Sequence, residues 1–427
     1  MYTIRALKAR QIFDSRGIPT VECELKTAFG RFVASVPSGT STGSREAVEL
    51  RDKEKKLFGM GVEKAVRNIN EILSVVVKGI DCRDQEKIDE LLINEDGTKN
   101  KSKLGANAIL AVSLACAKAA TVAEQKELFE YISKLSGQKP LLPIPALNII
   151  NGGQHASNVL DFQEYQILPI GFKSFKEAFY AGVEIYHDLR ERLEKDYGRT
   201  ASNVGHEGGF APQLKKVEEP IDEILKSIEK CGYASEVKIG LDVAANSFSI
   251  KDDVDTFIYT VEGHKLTSDK LLAEYEALMS SYPIVSIEDP FNENDFSAWE
   301  QMMKKIGKRV QILGDDLLVS QKKYVEEAIE KKRANALLLK LNQVGTLTET
   351  ISSALTAFEA NWKVQVGHRS GETNDYFIAD LSVGIGCGQI KAGAPCRGER
   401  LAKYNRLLRI EDEFKLPFAG KKAFSLK

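Results

Sequence analysis

The sequence predicts an α/β protein of two domains, the second a closed β/α barrel. Three observations predict it. Short runs rich in Val, Ile and Leu recur through the C-terminal half, each ending in a polar residue and followed by room for a helix. A cluster of prolines near residue 140 punctuates the chain. The opening stretch is rich in β-formers, and at 427 residues the chain is too long for one small domain.

Each element follows in order. TIRALKARQIFDSRGIPTVECELKTAFGRFVASVP, broken by turn residues, reads as a strand meander. SKLGANAILAVSLACAKAATVAE is apolar nearly all round and rich in alanine, so it reads as a helix buried on most sides. SGQKPLLPIPALN packs its prolines into a short span and marks the domain boundary. Beyond it VKIGLD, PIVSIED, VQILGDD, ALLLKLN, KVQVGHRS and GQIKAG read as strands. Their end residues Asp242, Glu288, Asp315, Lys340, His368 and Lys391 are 46, 27, 25, 28 and 23 residues apart, close to the pitch of a β/α unit. A parallel barrel gathers the C-terminal ends of its strands at one mouth, where active sites form. One charged strand end could merely cap a helix. Six in succession mark a site.

Composition narrows the class. With 43% apolar and 28% charged residues the chain is ordinary for a globular protein. A net charge of −2 argues against nucleic acid or an anionic membrane as the main partner. The six cysteines are scattered without a zinc or redox spacing, which predicts free thiols in a reducing compartment. The N-terminus lacks a signal-peptide core, and no segment is expected to approach the roughly 20 apolar residues of a membrane span. A cytoplasmic location is expected, and surface display would leave no mark in the sequence.

The order of the strand ends supplies chemistry. Asp242, Glu288 and Asp315 would bring three carboxylates to one mouth, and their mutual repulsion calls for a cation. Oxygen ligands point to Mg²⁺. Lys340 and Lys391 follow, and a lysine beside a divalent cation and another lysine has its charged form disfavoured, which makes it a base. HRSGET offers Arg369 and Ser370 to an oxyanion, so the substrate should be a small phosphate or carboxylate. NVGHEGGFAP puts Glu207 on a loop shaped by glycines. A metalloprotease helix would need a second histidine at 210, which is Phe.

These motifs resemble the enolase family. SIEDPF, LLLKLNQVGTLTE, HRSGET, GQIKAGAP, PSGTSTG and NGGQHA stand in family order over nearly the whole chain. The resemblance implies an N-terminal α+β domain over 1–138 and an eight-stranded modified TIM-like β/α barrel over 139–427. It implies reversible dehydration of 2-phosphoglycerate to phosphoenolpyruvate, with Lys340 as the base at the carbon alpha to the carboxylate and Glu207 as the general acid. Asp242, Glu288 and Asp315 match the ligands of Mg²⁺, and Lys391 adds a cation at the substrate carboxylate. Arg369 and Ser370 match the phosphate-binding pair, with His368 beside them in the substrate site. Gln163 and Glu164 match residues supporting the acid's end, and His155 a mobile-loop histidine near the substrate. Ser41, in the small-residue lid, matches a ligand of a second, substrate-dependent Mg²⁺. A homodimer or an assembly of dimers is implied as well.

The chain departs from the family pattern at His206 for Asp, Gly367 for Ser, Thr40 for Ala, Arg45 for His and Ile18 for Asn. Loss of the acid beside Glu207 should ease ionisation of Glu207. Two other readings fit the sequence. One is a related dehydratase acting on a phosphonate or other analogue. The other is a noncatalytic binding protein on the same scaffold, with the KKAFSLK tail as its lysine-bearing contact.

Overall fold

The computed structural model describes residues 2–40, 43–252 and 256–424. Strands β1 (Ala6–Phe13), β2 (Pro19–Lys26) and β3 (Arg31–Ser35) form the antiparallel meander that the sequence predicts. In β2 the apolar Val21, Cys23 and Leu25 are buried, while Glu22 and Glu24 pair with Arg10 across the other face. This is the two-residue period of a strand with one covered face. The covering element is the helix Ala106–Glu124, which is buried from Ala106 to Ala117 without a break. Its alanines let the sheet and neighbouring helices approach closely on all sides, so Leu110→Ala there would cost about 2–5 kcal/mol.

That helix corrects one expectation. It is 19 residues long and its most apolar stretch has a mean hydropathy of 1.6, enough to cross a membrane by length and composition. Its role is different, because 78% of its most apolar stretch is buried inside the fold.

The barrel contains β4 (Ile144–Asn151), β5 (Glu164–Pro169) and β6 (Val237–Asp242). A separate small sheet follows, made of β7 (Ser249–Lys251), β8 (Phe257–Val261) and β9 (His264–Thr267). The barrel then resumes with β10 (Ile284–Glu288), β11 (Gln311–Gly314), β12 (Ala336–Leu339), β13 (Lys363–Gly367) and β14 (Gly388–Lys391). It closes in the order β4-β5-β6-β10-β11-β12-β13-β14. All six runs read as strands are strands. The 46-residue gap from Asp242 to Glu288 is long because it holds the β7–β9 sheet as well as the helix Ser268–Ser281.

The barrel is not wholly parallel. β5 runs antiparallel to both β4 and β6. The chain turns straight back after β4, and only after β5 does it make the helices Phe175–Tyr197 and Glu218–Lys230. The reversal puts the N-terminal end of β5 level with the C-terminal ends of its neighbours, so Glu164 lies opposite Asn151 and Asp242. The N-terminal domain reaches the same mouth. Ser38 and Gly371 exchange backbone hydrogen bonds of 2.8 Å, pinning the segment after β3 to the loop after β13.

Candidate active site

Most of the residues singled out from the sequence line one buried chamber at the barrel mouth: His155, Gln163, Glu164, Glu207, Asp242, Asp315, Lys340, His368, Arg369, Ser370 and Lys391. Glu288 stands directly behind it, bonded to Lys391. Ser41 lies outside the described residues.

On one side, carboxylates and lysines meet. The register aligns Glu164, Asp242 and Glu288 on three adjacent strands. Lys391 reaches across the barrel, its Nζ 3.0 Å from Glu164 Oε1, 2.9 Å from Asp242 Oδ2 and 2.7 Å from Glu288 Oε2. Three buried acids hold that lysine well above its ordinary pKa, against the opposing effect of burial. Lys340 donates directly to Asp315 Oδ2, and Gln343 Nε2 donates to Asp315 Oδ1 at 2.8 Å. Burial presses the Lys340 pKa down, but Asp315 outweighs it and the value is raised. In this arrangement the Lys340 ammonium is the hydrogen-bond donor to Asp315.

Asp315 is itself placed by Asp289. Asp289 takes φ +43°, a left-handed conformation costly for a residue with a Cβ, and its two oxygens accept from the backbone N–H groups of Asp315 and Asp316 at 2.9 Å. Asp289, Asp315 and Asp316 thus form a tight acidic group, yet Asp289 spends its oxygens on backbone.

The other side holds Glu207. Its loop is drawn onto β4 by the bonds Phe210 N–H to Ile149 O, 2.9 Å, and Asn151 N–H to Phe210 O, 2.8 Å. Gly208 adopts φ +88°, and a Cβ there would lie 2.9 Å from Cys396 O, so glycine is required. Tyr186 Oη donates to Gly208 O at 2.7 Å and fixes the turn. Glu207 Oε2 accepts from Asn148 Nδ2 at 2.8 Å, while Oε1 lies 3.3 Å from His368 Nε2 and 3.5 Å from His155 Nδ1. Arg400 Nη1 donates to His368 Nδ1 at 2.7 Å, which leaves the His368 proton on Nε2, facing Glu207. Burial pushes the His368 pKa down to about 3, so the ring is neutral.

Glu164 and Glu207 titrate apart. Burial, then repulsion from Glu207, raises Glu164 well above the usual carboxyl range. Burial also pushes Glu207 upward, but His155, His368 and Arg400 outweigh it and hold it well below that range. The two carboxyls are thus pushed in opposite directions.

At the anion end, Arg369 Nη1 donates to both oxygens of Glu46, at 3.1 and 3.0 Å. Ser370 Oγ is 2.7 Å from Thr40 Oγ1 and accepts from Arg16 Nη1 at 3.1 Å. Thr40, a departure from the family pattern, therefore adds a hydroxyl at this end. Arg45 is turned away, donating to Leu317 O at 2.9 Å and lying 4.4 Å from the Tyr324 ring centre. At Gly367 a Cβ would come within 3.1 Å of Leu338 Cδ1 and 3.3 Å of Lys340 Cε, so the glycine leaves room for both side chains. His206 is half-buried, and burial followed by Arg16 lowers its pKa, which makes it neutral near pH 7. Nothing in the structure explains Ile18. Sequence reasoning missed Asn148, Arg400, Gln343 and Glu46. Each sits within a run that reads as ordinary strand, helix or loop, so only their three-dimensional contacts reveal them.

The residues present fit a divalent cation. The set Asp242, Glu288 and Asp315 offers only oxygen, as hard cations require. In this structure those oxygens are directed to the Lys391 and Lys340 ammonium groups, the positive charge that carboxylates brought together require.

A barrel mouth that sets buried carboxylates against a lysine on one side and a pair of carboxyls pushed in opposite directions on the other belongs to a metal-assisted acid–base enzyme. Residues 139–426 match the family model described as the enolase C-terminal TIM barrel domain, and residues 4–132 match the enolase N-terminal domain. The chain is 50% identical over 425 residues to a curated enolase of Solanum lycopersicum, covering 97% of this chain and 96% of that protein. The chain belongs to the enolase family.

Proposed function

We infer that this site performs the enolase reaction, the reversible dehydration of 2-phosphoglycerate to phosphoenolpyruvate. The activity is that of a magnesium-dependent hydro-lyase. The single observation that supports the residue roles is the gathering of Lys340, Glu207, Arg369, Ser370 and the carboxylates around one chamber.

Lys340 removes the proton alpha to the substrate carboxylate. Asp315, the hydrogen-bond partner of Lys340, would share its negative charge with a bound cation, which would favour the neutral lysine that a base requires. Asp242, Glu288 and Asp315 would hold Mg²⁺, which would supply positive charge to offset the negative charge that builds up when the alpha proton leaves. A second, substrate-dependent ion at Ser41 is part of the same reading. Lys391 faces the substrate carboxylate, and Gln163, 3.1 Å from Asp242 Oδ2, steadies that ligand. Arg369 and Ser370 bind the phosphate, with His368 orienting Glu207 beside them. Hydroxide is a poor leaving group, so it must leave with a proton from the Glu164–Glu207 pair, next to His155. In the reverse direction the ionised Glu207 activates water.

A division at 1–138 and 139–427, a cytoplasmic location and a dimeric or higher assembly complete the reading. Absorbance of phosphoenolpyruvate, followed after adding 2-phosphoglycerate, tests the function. Formation with Mg²⁺ that chelation stops is expected, and its absence would overturn the assignment.

A further inference from the structure

Each cation at the mouth carries a carboxylate, but Arg369 takes its partner from elsewhere. Lys340 and Lys391 bind acids of the barrel strands, the same acids that the proposed function gives to metal. Glu46 comes from the N-terminal domain and has no place in that chemistry. Both its oxygens accept from Arg369 Nη1. Its Oε1 also accepts from the Gly43 N–H at 3.0 Å and from Gln343 Nε2 at 3.3 Å, which holds the carboxylate in position. Arg369 is only 3% exposed, and the backbone of the same N-terminal segment presses on it: a Cβ on Gly39 would fall 1.8 Å from Nη2. The guanidinium cannot easily swing away to offer its donors elsewhere.

We propose that Glu46 is a specificity-determining residue, a built-in carboxylate that occupies the Arg369 donor which the substrate phosphate must take. The proposal rests on the reading that Arg369 receives phosphate. A tethered carboxylate competes at high effective concentration. A free monocarboxylate of similar charge gains little by displacing it, whereas a phosphate brings nearly twice the charge and more acceptor oxygens. Glu46 thereby filters for phosphorylated ligands, and its return to Arg369 helps expel the product. Apparent phosphate affinity is reduced by the fraction of molecules in which Glu46 holds the arginine.

The test is competitive inhibition of the magnesium enzyme by inorganic phosphate. In Glu46→Gln, which keeps an oxygen for the Gly43 N–H, the inhibition constant should fall about five- to tenfold, with KM for 2-phosphoglycerate falling in parallel. Glu46→Ala should move both constants the same way. A residue that merely positioned Arg369 would give the opposite sign, so constants unchanged or raised in both variants overturn the proposal. Failure of the underlying reading has its own signature: Arg369→Gln would be inhibited by phosphate as strongly as the wild type.

Discussion

The two sides of the barrel mouth handle buried charge differently. On the side of Asp242, Glu288, Asp315, Lys340 and Lys391, acids touch ammonium groups, and opposite charge offsets burial. On the side of Glu207, His155 and His368, the acid lies against imidazoles that burial keeps neutral, while Glu164, which also touches Lys391, bridges the two sides and is pushed upward by burial and by Glu207. The first arrangement is suited to holding ions and the second to passing protons. Similar residue types acquire different roles from what they touch.

The largest effect should come from crossing that division. Lys340→Ala should abolish both exchange of the alpha proton with deuterium and net dehydration, whereas Glu207→Gln should lose dehydration by about a hundredfold or more and keep part of the exchange. Equal loss of exchange in both variants would erase the distinction between the sides. Next, Asp242→Asn, Glu288→Gln and Asp315→Asn should each raise the Mg²⁺ concentration needed for half-maximal rate, while Glu207→Gln should leave it nearly unchanged. Magnesium titrations decide this.

A stability measurement sharpens the contrast further. His368 has a folded pKa of about 3 against an ordinary value of roughly 6.5, so between these limits the unfolded chain binds the extra proton. Its contribution is present above about pH 6.5 and is lost as pH falls toward 3. Thermal melts across that window should show a shallower acid decline for His368→Gln than for the wild type. The smallest effect belongs to Tyr186→Phe, which removes the bond to Gly208 O and should cost about 1 kcal/mol with a modest fall in kcat. Denaturant unfolding would measure it.

The same division governed what the sequence disclosed. Asp242, Glu288, Asp315, Lys340, His368 and Lys391 end apolar runs at regular intervals, so periodicity alone placed them at one mouth. β4 and β5 escaped that reading, because Pro145 sits inside β4 and the prolines around it read as punctuation. β5 begins, rather than ends, with its functional residue, Glu164. Glu207 and His155 lie on segments without a period; glycines marked the Glu207 loop, but family resemblance alone gave it a role and singled out His155. Asn148, Arg400 and Glu46 act through partners 59, 32 and 323 residues away in the chain. No local pattern encodes such distances.

The reversed strand also bears on how this mouth can vary in evolution. A loop that follows a parallel strand holds its far residues only through its own packing, so a change in its length displaces them. The segment 152–163 is anchored at both ends at the mouth, by Asn151 and by Glu164, which the ladder sets opposite each other. Insertions and deletions there can reshape the stretch that carries His155 while the register of β5 keeps Glu164 in place. One turn of the chain thus joins a position set by the strand ladder to one set by loop contacts, such as the His206 N–H bond to His155 O.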